Sequence, residues 1–118
     1  MKKIYYLSTC DTCKRVMNDV NIPSTFERQD IKTEEISEKQ LDDLYELTKS
    51  YEELFSRRAN LYKERDLKNK NLQEEDYRNL ILEHYTFLKR PVIVNENEVF
   101  IGSSPKTVAA AKDSLHSK

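Results

Sequence analysis

Apolar positions change their spacing several times along the chain, and each change marks an element. Residues 3–7 (K-I-Y-Y-L) concentrate β-branched and aromatic side chains and predict a short buried strand. Val16, Met17 and Val20 follow at helical spacing, so residues 12–20 are expected to form a helix. Pro23 cannot continue it. Residues 25–31 predict a second strand, with Phe26 as its clearest apolar position. Strand, helix and strand in so short a stretch make a βαβ unit, whose strands run parallel.

Ser37, with Gln40 three residues later, is a capping-box pattern ahead of Leu41, Leu44, Tyr45 and Thr48. A second helix start is expected at Asn71, with Glu74 as its partner, followed by a stripe of Tyr77, Leu80, Ile81 and His84. Residues 54–62 are less regular and predict a loop with a short helix. Val92-Ile93-Val94 and Val99-Phe100-Ile101 flank a short polar tip and predict a β-hairpin. Asn95 and Asn97 suit the left-handed conformation that a tight turn needs. Ser104 then caps a last helix with Pro105 in its first turn, where a missing N–H costs nothing. Residues 108–115 are expected to pack, and 116–118 to fray. The resulting order, βαβ, helices, then ββα, with cysteines after the first strand, is an α/β, thioredoxin-like arrangement. It is read as one domain over residues 1–118, with a helical insertion at about 36–87.

Composition narrows the function. The 118 residues carry 20 basic and 21 acidic side chains, a net charge of -1, which disfavours direct nucleic-acid binding. The single glycine excludes Gly-rich phosphate loops. No apolar run is long enough to span a bilayer. The apolar stretch after Met1-Lys2-Lys3 ends at Leu7, too early for a secretory leader. Cys10 and Cys13 are the only cysteines, so a disulfide framework is not expected and a cytoplasmic location is.

Cys10-Asp11-Thr12-Cys13 places a C-x-x-C motif at a strand-to-helix turn. Free N–H groups and the positive end of the helix dipole there stabilise a thiolate on Cys10. Lys14 and Arg15 add positive charge, and Asp11 opposes it. Cys13 falls one turn into the helix, within reach of a disulfide. A zinc site would need two further ligands. His84 and His116, the only histidines, match no finger spacing, so no metal is expected. His84 itself reads as a satisfied, partly buried packing residue. The charged run 63–75 reads as a solvated face, and Tyr45, Tyr77 and Tyr85 read as packing residues.

Three segments together resemble the ArsC/Spx family, which comprises glutaredoxin-coupled arsenate reductases, Spx regulators and YffB-like proteins. They are S-T-C-D-T-C-K-R from Ser8, L-F-S-R-R-A-N-L-Y-K from Leu54, and L-K-R-P-V-I-V from Leu88. The resemblance implies that Cys10 is the nucleophile and that Arg58 and Arg90 are oxyanion arginines. The spacing from Ser56 favours Arg58 over Arg57. It also implies that Asp11, Thr12, Cys13 and Lys14 help bind the oxyanion and that the Arg90–Pro91 bond is cis. Guanidinium groups suit this role, because they bind paired oxygens and offset the repulsion between thiolate and oxyanion. The implied activity is reduction of arsenate, another oxyanion or a disulfide. Glutathione with glutaredoxin, or thioredoxin, would be the electron donor, and no cofactor would be bound. The alternative is an Spx-like redox sensor that binds the RNA polymerase α subunit. Three features of the arsenate reductases are replaced here, the first being that Cys13 stands where they usually carry serine, giving a C-x-x-C typical of Spx. Ile101-Gly102-Ser103-Ser104 stands where they carry a further arginine, and Tyr5 to Thr9 contain no histidine before the nucleophile.

Overall fold

In the computed structural model, residues 1–116 are described, and the predicted fraying of 117 and 118 lies outside them. The chain divides into two compact units, one built from residues 1–34 with 90 onwards, the other from 35–89.

In the first unit, β1 (Lys2–Tyr6), β2 (Glu27–Asp30), β3 (Val92–Asn95) and β4 (Glu98–Ile101) form one sheet in the order β2-β1-β3-β4. β1 pairs parallel with β2 and antiparallel with β3, and β3 pairs antiparallel with β4. Ile4 and Ile93 are paired residues and share one face of the sheet. They pack with Val16 and Val20 of α1 (Asp11–Val20), Ala111 of α5 (Pro105–His116), Ile22 and Phe26. Burying each large aliphatic side chain here is worth about 1.5–3 kcal/mol. This is the thioredoxin-like arrangement, with the dithiol at the β1–α1 junction.

β2 is shorter than residues 25–31. Phe26 lies before it, in a turn closed by its N–H to the Pro23 carbonyl. The strand stops at Asp30 because the next residues fold back, with Thr33 and Glu34 donating to the Asp30 carbonyl. The hairpin turn also differs from expectation. Glu96, not an asparagine, takes the left-handed φ of 57°. Asn95 belongs to β3 and spends its side-chain amide on the carbonyl and hydroxyl of Ser114. At the far end, His116 is helical rather than frayed. Its Nε2 bonds the carbonyls of Val20 at 2.7 Å and Asn21 at 3.1 Å, tying α5 to the end of α1.

The second unit holds α2 (Glu38–Thr48), α3 (Asn60–Glu64), α4 (Glu74–Glu83) and three single 3₁₀ turns. Both bonds of the Ser37 capping box form: Gln40 N–H to Ser37 Oγ at 3.1 Å, and Ser37 N–H to Gln40 Oε1 at 3.0 Å. Replacing Ser37 by Ala should cost about 1 kcal/mol, read as a lowered urea midpoint at unchanged slope. No measurable loss would show that the cap is idle. α4 starts later than expected. Its cap is Gln73, whose N–H donates to Asp76. Glu74, the expected partner of Asn71, instead accepts from the N–H groups of Tyr51 and Glu52.

The unit's core centres on Phe55, fully buried against Phe87, Tyr77 and Tyr62 with ring centroids 4.9–6.0 Å apart. An antiparallel bridge joins Phe55 to Leu88 and is flanked by hydrogen bonds from Ser56 N–H to the Phe87 carbonyl and from Lys89 N–H to the Leu54 carbonyl. Among the described residues no helix is long and apolar enough to cross a membrane.

Candidate active site around the Cys10–Cys13 turn

After β1 the chain reverses through Ser8 and Thr9, and Cys10 N–H closes the turn on the Leu7 carbonyl at 3.0 Å. Cys10 is the N-cap of α1, with extended φ and ψ of -98° and 115°. It is partly exposed, whereas Cys13, one turn inside, is fully buried. Both are free thiols.

Burial is the largest single influence on Cys10, and it raises the pKa. It is outweighed by the combined effect of the Cys13 N–H, the Cys13 thiol, the Thr12 N–H and the positive charge of Arg90. The net effect holds the Cys10 thiol below its ordinary value. Cys13 goes the other way, to about 11. Burial drives that rise and the neighbouring Cys10 charge adds to it, while a Leu7 backbone hydrogen bond and Arg90 oppose it. One dithiol thus contains two unlike sulfurs: an accessible one that ionises readily and a buried one that stays protonated.

Arg90 precedes a cis peptide bond to the buried Pro91. Gly102 donates to the Pro91 carbonyl at 2.9 Å, extending the β3–β4 ladder by one pair. Its φ of 91°, awkward for any other residue, bends the chain away after that pair. Arg90 is the one predicted arginine that the first unit brings to the dithiol, through its effect on both sulfurs. Thr12 contributes its N–H, while the side chains of Asp11, Lys14 and Arg15 are exposed.

Arg58 belongs to the second unit, in the turn ahead of α3. It is exposed and makes no hydrogen bond or ion pair among the described residues. Its neighbour Arg57 is committed elsewhere. It donates to Glu52 at 2.6 Å and to the Tyr77 hydroxyl at 3.2 Å, and its guanidinium lies over the Tyr77 ring. His84 accepts from Thr86 N–H at 3.1 Å and stacks on Tyr85, the structural role expected of it. Among the described residues no cluster of three or more His, Cys, Asp or Glu side chains is arranged to hold a metal.

Sequence reasoning missed Asp30. Its carboxylate accepts from Ser8 Oγ, Ser8 N–H and Lys32 N–H. Ser8 is part of the motif, but nothing in the sequence pairs it with an aspartate 22 residues away.

A thioredoxin-like unit with a dithiol at the first strand-to-helix turn and a cis-proline after the insertion defines a class of thiol-chemistry proteins. Within that class the chain belongs to the ArsC family, whose model matches residues 5–111. This is a family of reductase-like, thiol-dependent proteins. Among solved structures, an arsenate reductase from Vibrio cholerae superposes with a TM-score of 0.74 at 19% identity, covering 93% of this chain and 96% of that one. An arsenate reductase-related protein from Brucella melitensis gives 0.69 at 24% identity, with 92% of each chain covered. A YffB protein gives 0.74 at 20% identity, covering 94% and 98%. No curated protein matches the chain significantly.

Proposed function

We propose that this protein is a thiol-dependent oxidoreductase in which Cys10 is the nucleophile. What supports the reading is the position of Cys10 as the N-cap of α1, where the Cys13 and Thr12 N–H groups and the positive charge of Arg90 favour its thiolate. In reduction of an oxyanion such as arsenate, the Cys10 thiolate displaces one oxygen, which leaves as water after protonation, and an S–As bond forms. A glutathione-class thiol then attacks the Cys10 sulfur. The S–As electron pair stays on arsenic, which passes from the +5 to the +3 state. Glutaredoxin or thioredoxin reduces the resulting mixed disulfide. Arg90 balances the oxyanion charge, and the amides of Asp11, Thr12 and Cys13 receive its oxygens.

In reduction of a disulfide, Cys10 takes one sulfur and releases the other as a thiolate, which picks up a proton. Cys13 then attacks Cys10, expels the second thiol, and leaves a Cys10–Cys13 disulfide to be reduced by an external dithiol. The thiol of Cys13, directed at Cys10, favours this second route as a resolving group. The same closure would serve a sensor docked on the RNA polymerase α subunit, which is the outcome to expect if no turnover is found.

The test is alkylation by iodoacetamide followed by mass spectrometry across pH. Reactivity tracks the thiolate, so a thiol held low reaches its plateau at lower pH than an ordinary cysteine. Cys10 should therefore be modified well before Cys13, which stays protonated up to about pH 11. Replacing Arg90 by Ala removes a charge that favours both thiolates, so both midpoints should move up. An ordinary Cys10 midpoint would sink the reading.

A further inference from the structure

We infer that Asp30 is a positioning residue for the Cys10 thiolate and acts through Ser8. The inference rests on the reading of Cys10 as the reactive sulfur, and deepens it. Asp30 is the last residue of β2 and pairs in register with Tyr6. It thus stands where the parallel β1–β2 ladder ends and the chain leaves for the dithiol turn, with Ile31 N–H on the Tyr6 carbonyl as the next rung. Both carboxylate oxygens are used: one by the Ser8 hydroxyl, the other by the N–H groups of Ser8 and Lys32.

Ser8 is the first corner of the four-residue turn that Leu7 and Cys10 close. Held at both its amide and its hydroxyl, it cannot rotate independently of β2. That fixes both ends of the turn. Cys10 is presented at the first turn of α1, and the Leu7 backbone is presented to Cys13. The Ser8 hydroxyl is the leading cause of a lowered Asp30 pKa, and burial only partly opposes it. The carboxylate is therefore charged at neutral pH and is a strong acceptor.

A carboxylate that acted on Cys10 only through its field would raise the thiol pKa, and its removal would lower it. A carboxylate that holds the turn has the opposite signature. Its loss lets the sulfur drift from the amides and Arg90, and the pKa rises.

The experiment is the pH profile of iodoacetamide alkylation at Cys10, for the full chain and four single or double variants, each checked for folding by circular dichroism. Ser8→Ala and Asp30→Ala should each move the midpoint up, slowing alkylation at pH 7 about three- to tenfold, since one pH unit changes the thiolate fraction tenfold. The double variant should move no further than Asp30→Ala, which already removes both bonds to Ser8. Ser8→Thr, which keeps the hydroxyl, should restore the native profile. Unchanged midpoints in both single variants, or a lower midpoint in Asp30→Ala with Ser8→Ala unchanged, would overturn the inference. If Asp30→Ala does not fold, Ser8→Ala against Ser8→Thr decides alone. An ordinary midpoint in the native chain would instead overturn the function proposed above, so the two failures are distinguishable.

Discussion

Replacing Cys10 by Ser is expected to abolish substrate-dependent NADPH oxidation in an assay coupled through glutaredoxin or thioredoxin, a loss of at least about a thousandfold. Serine keeps the size and the N-cap position but not an ionisable nucleophile. Its hydroxyl is not deprotonated by two amides and one guanidinium near neutral pH. The fold should be untouched, because Cys10 is partly exposed and caps α1 without a hydrogen bond from its side chain. The informative companion is Cys13→Ser. If a disulfide cycle operates, both variants lose turnover. If an external thiol resolves the adduct, only Cys10→Ser does. Turnover that survives Cys10→Ser would remove the proposed site altogether.

The second large effect is on stability. Phe55 is fully buried, stacked on Phe87 at 5.3 Å and tilted against Tyr77 at 4.9 Å. Phe55→Ala should cost about 3–5 kcal/mol, combining the lost transfer free energy with the cavity left among rings that cannot collapse inward. Urea unfolding followed by far-ultraviolet circular dichroism would report it. A loss under about 1 kcal/mol would mean that the aromatic cluster repacks, contrary to the close interdigitation seen here.

Why some features could be read from the sequence, and others not, has local physical reasons. The Ser37 box and the Ser104–Pro105 helix start are encoded within four residues, and both form as read. Thr107 N–H donates to Ser104 Oγ at 3.2 Å. The dithiol's asymmetry was also legible, because the N-cap and one turn inside are positions counted along a helix. The errors arise where a distant partner takes a side chain away from its local role. Asn71 and Glu74 read as a cap pair, but Glu74 is claimed by the amides of Tyr51 and Glu52. Asn95 read as a turn residue, but Ser114 holds it in the strand. His116 reads as fraying, but the carbonyls of Val20 and Asn21 hold it in the last turn. Asp30 is illegible for the same reason: its meaning comes from Ser8, just past the end of the neighbouring strand.

The arrangement of the chain around its insertion has an evolutionary corollary. The dithiol turn, Asp30, Arg90 and the cis-proline all lie in residues 1–34 or after 89, whereas Arg58 lies in the excursion between them. Every group that sets the acidity of the Cys10 sulfur lies outside the excursion, so descendants could lengthen, shorten or recharge it without replacing any of them. The acidity of the sulfur and the sequence of the excursion are therefore separable under mutation.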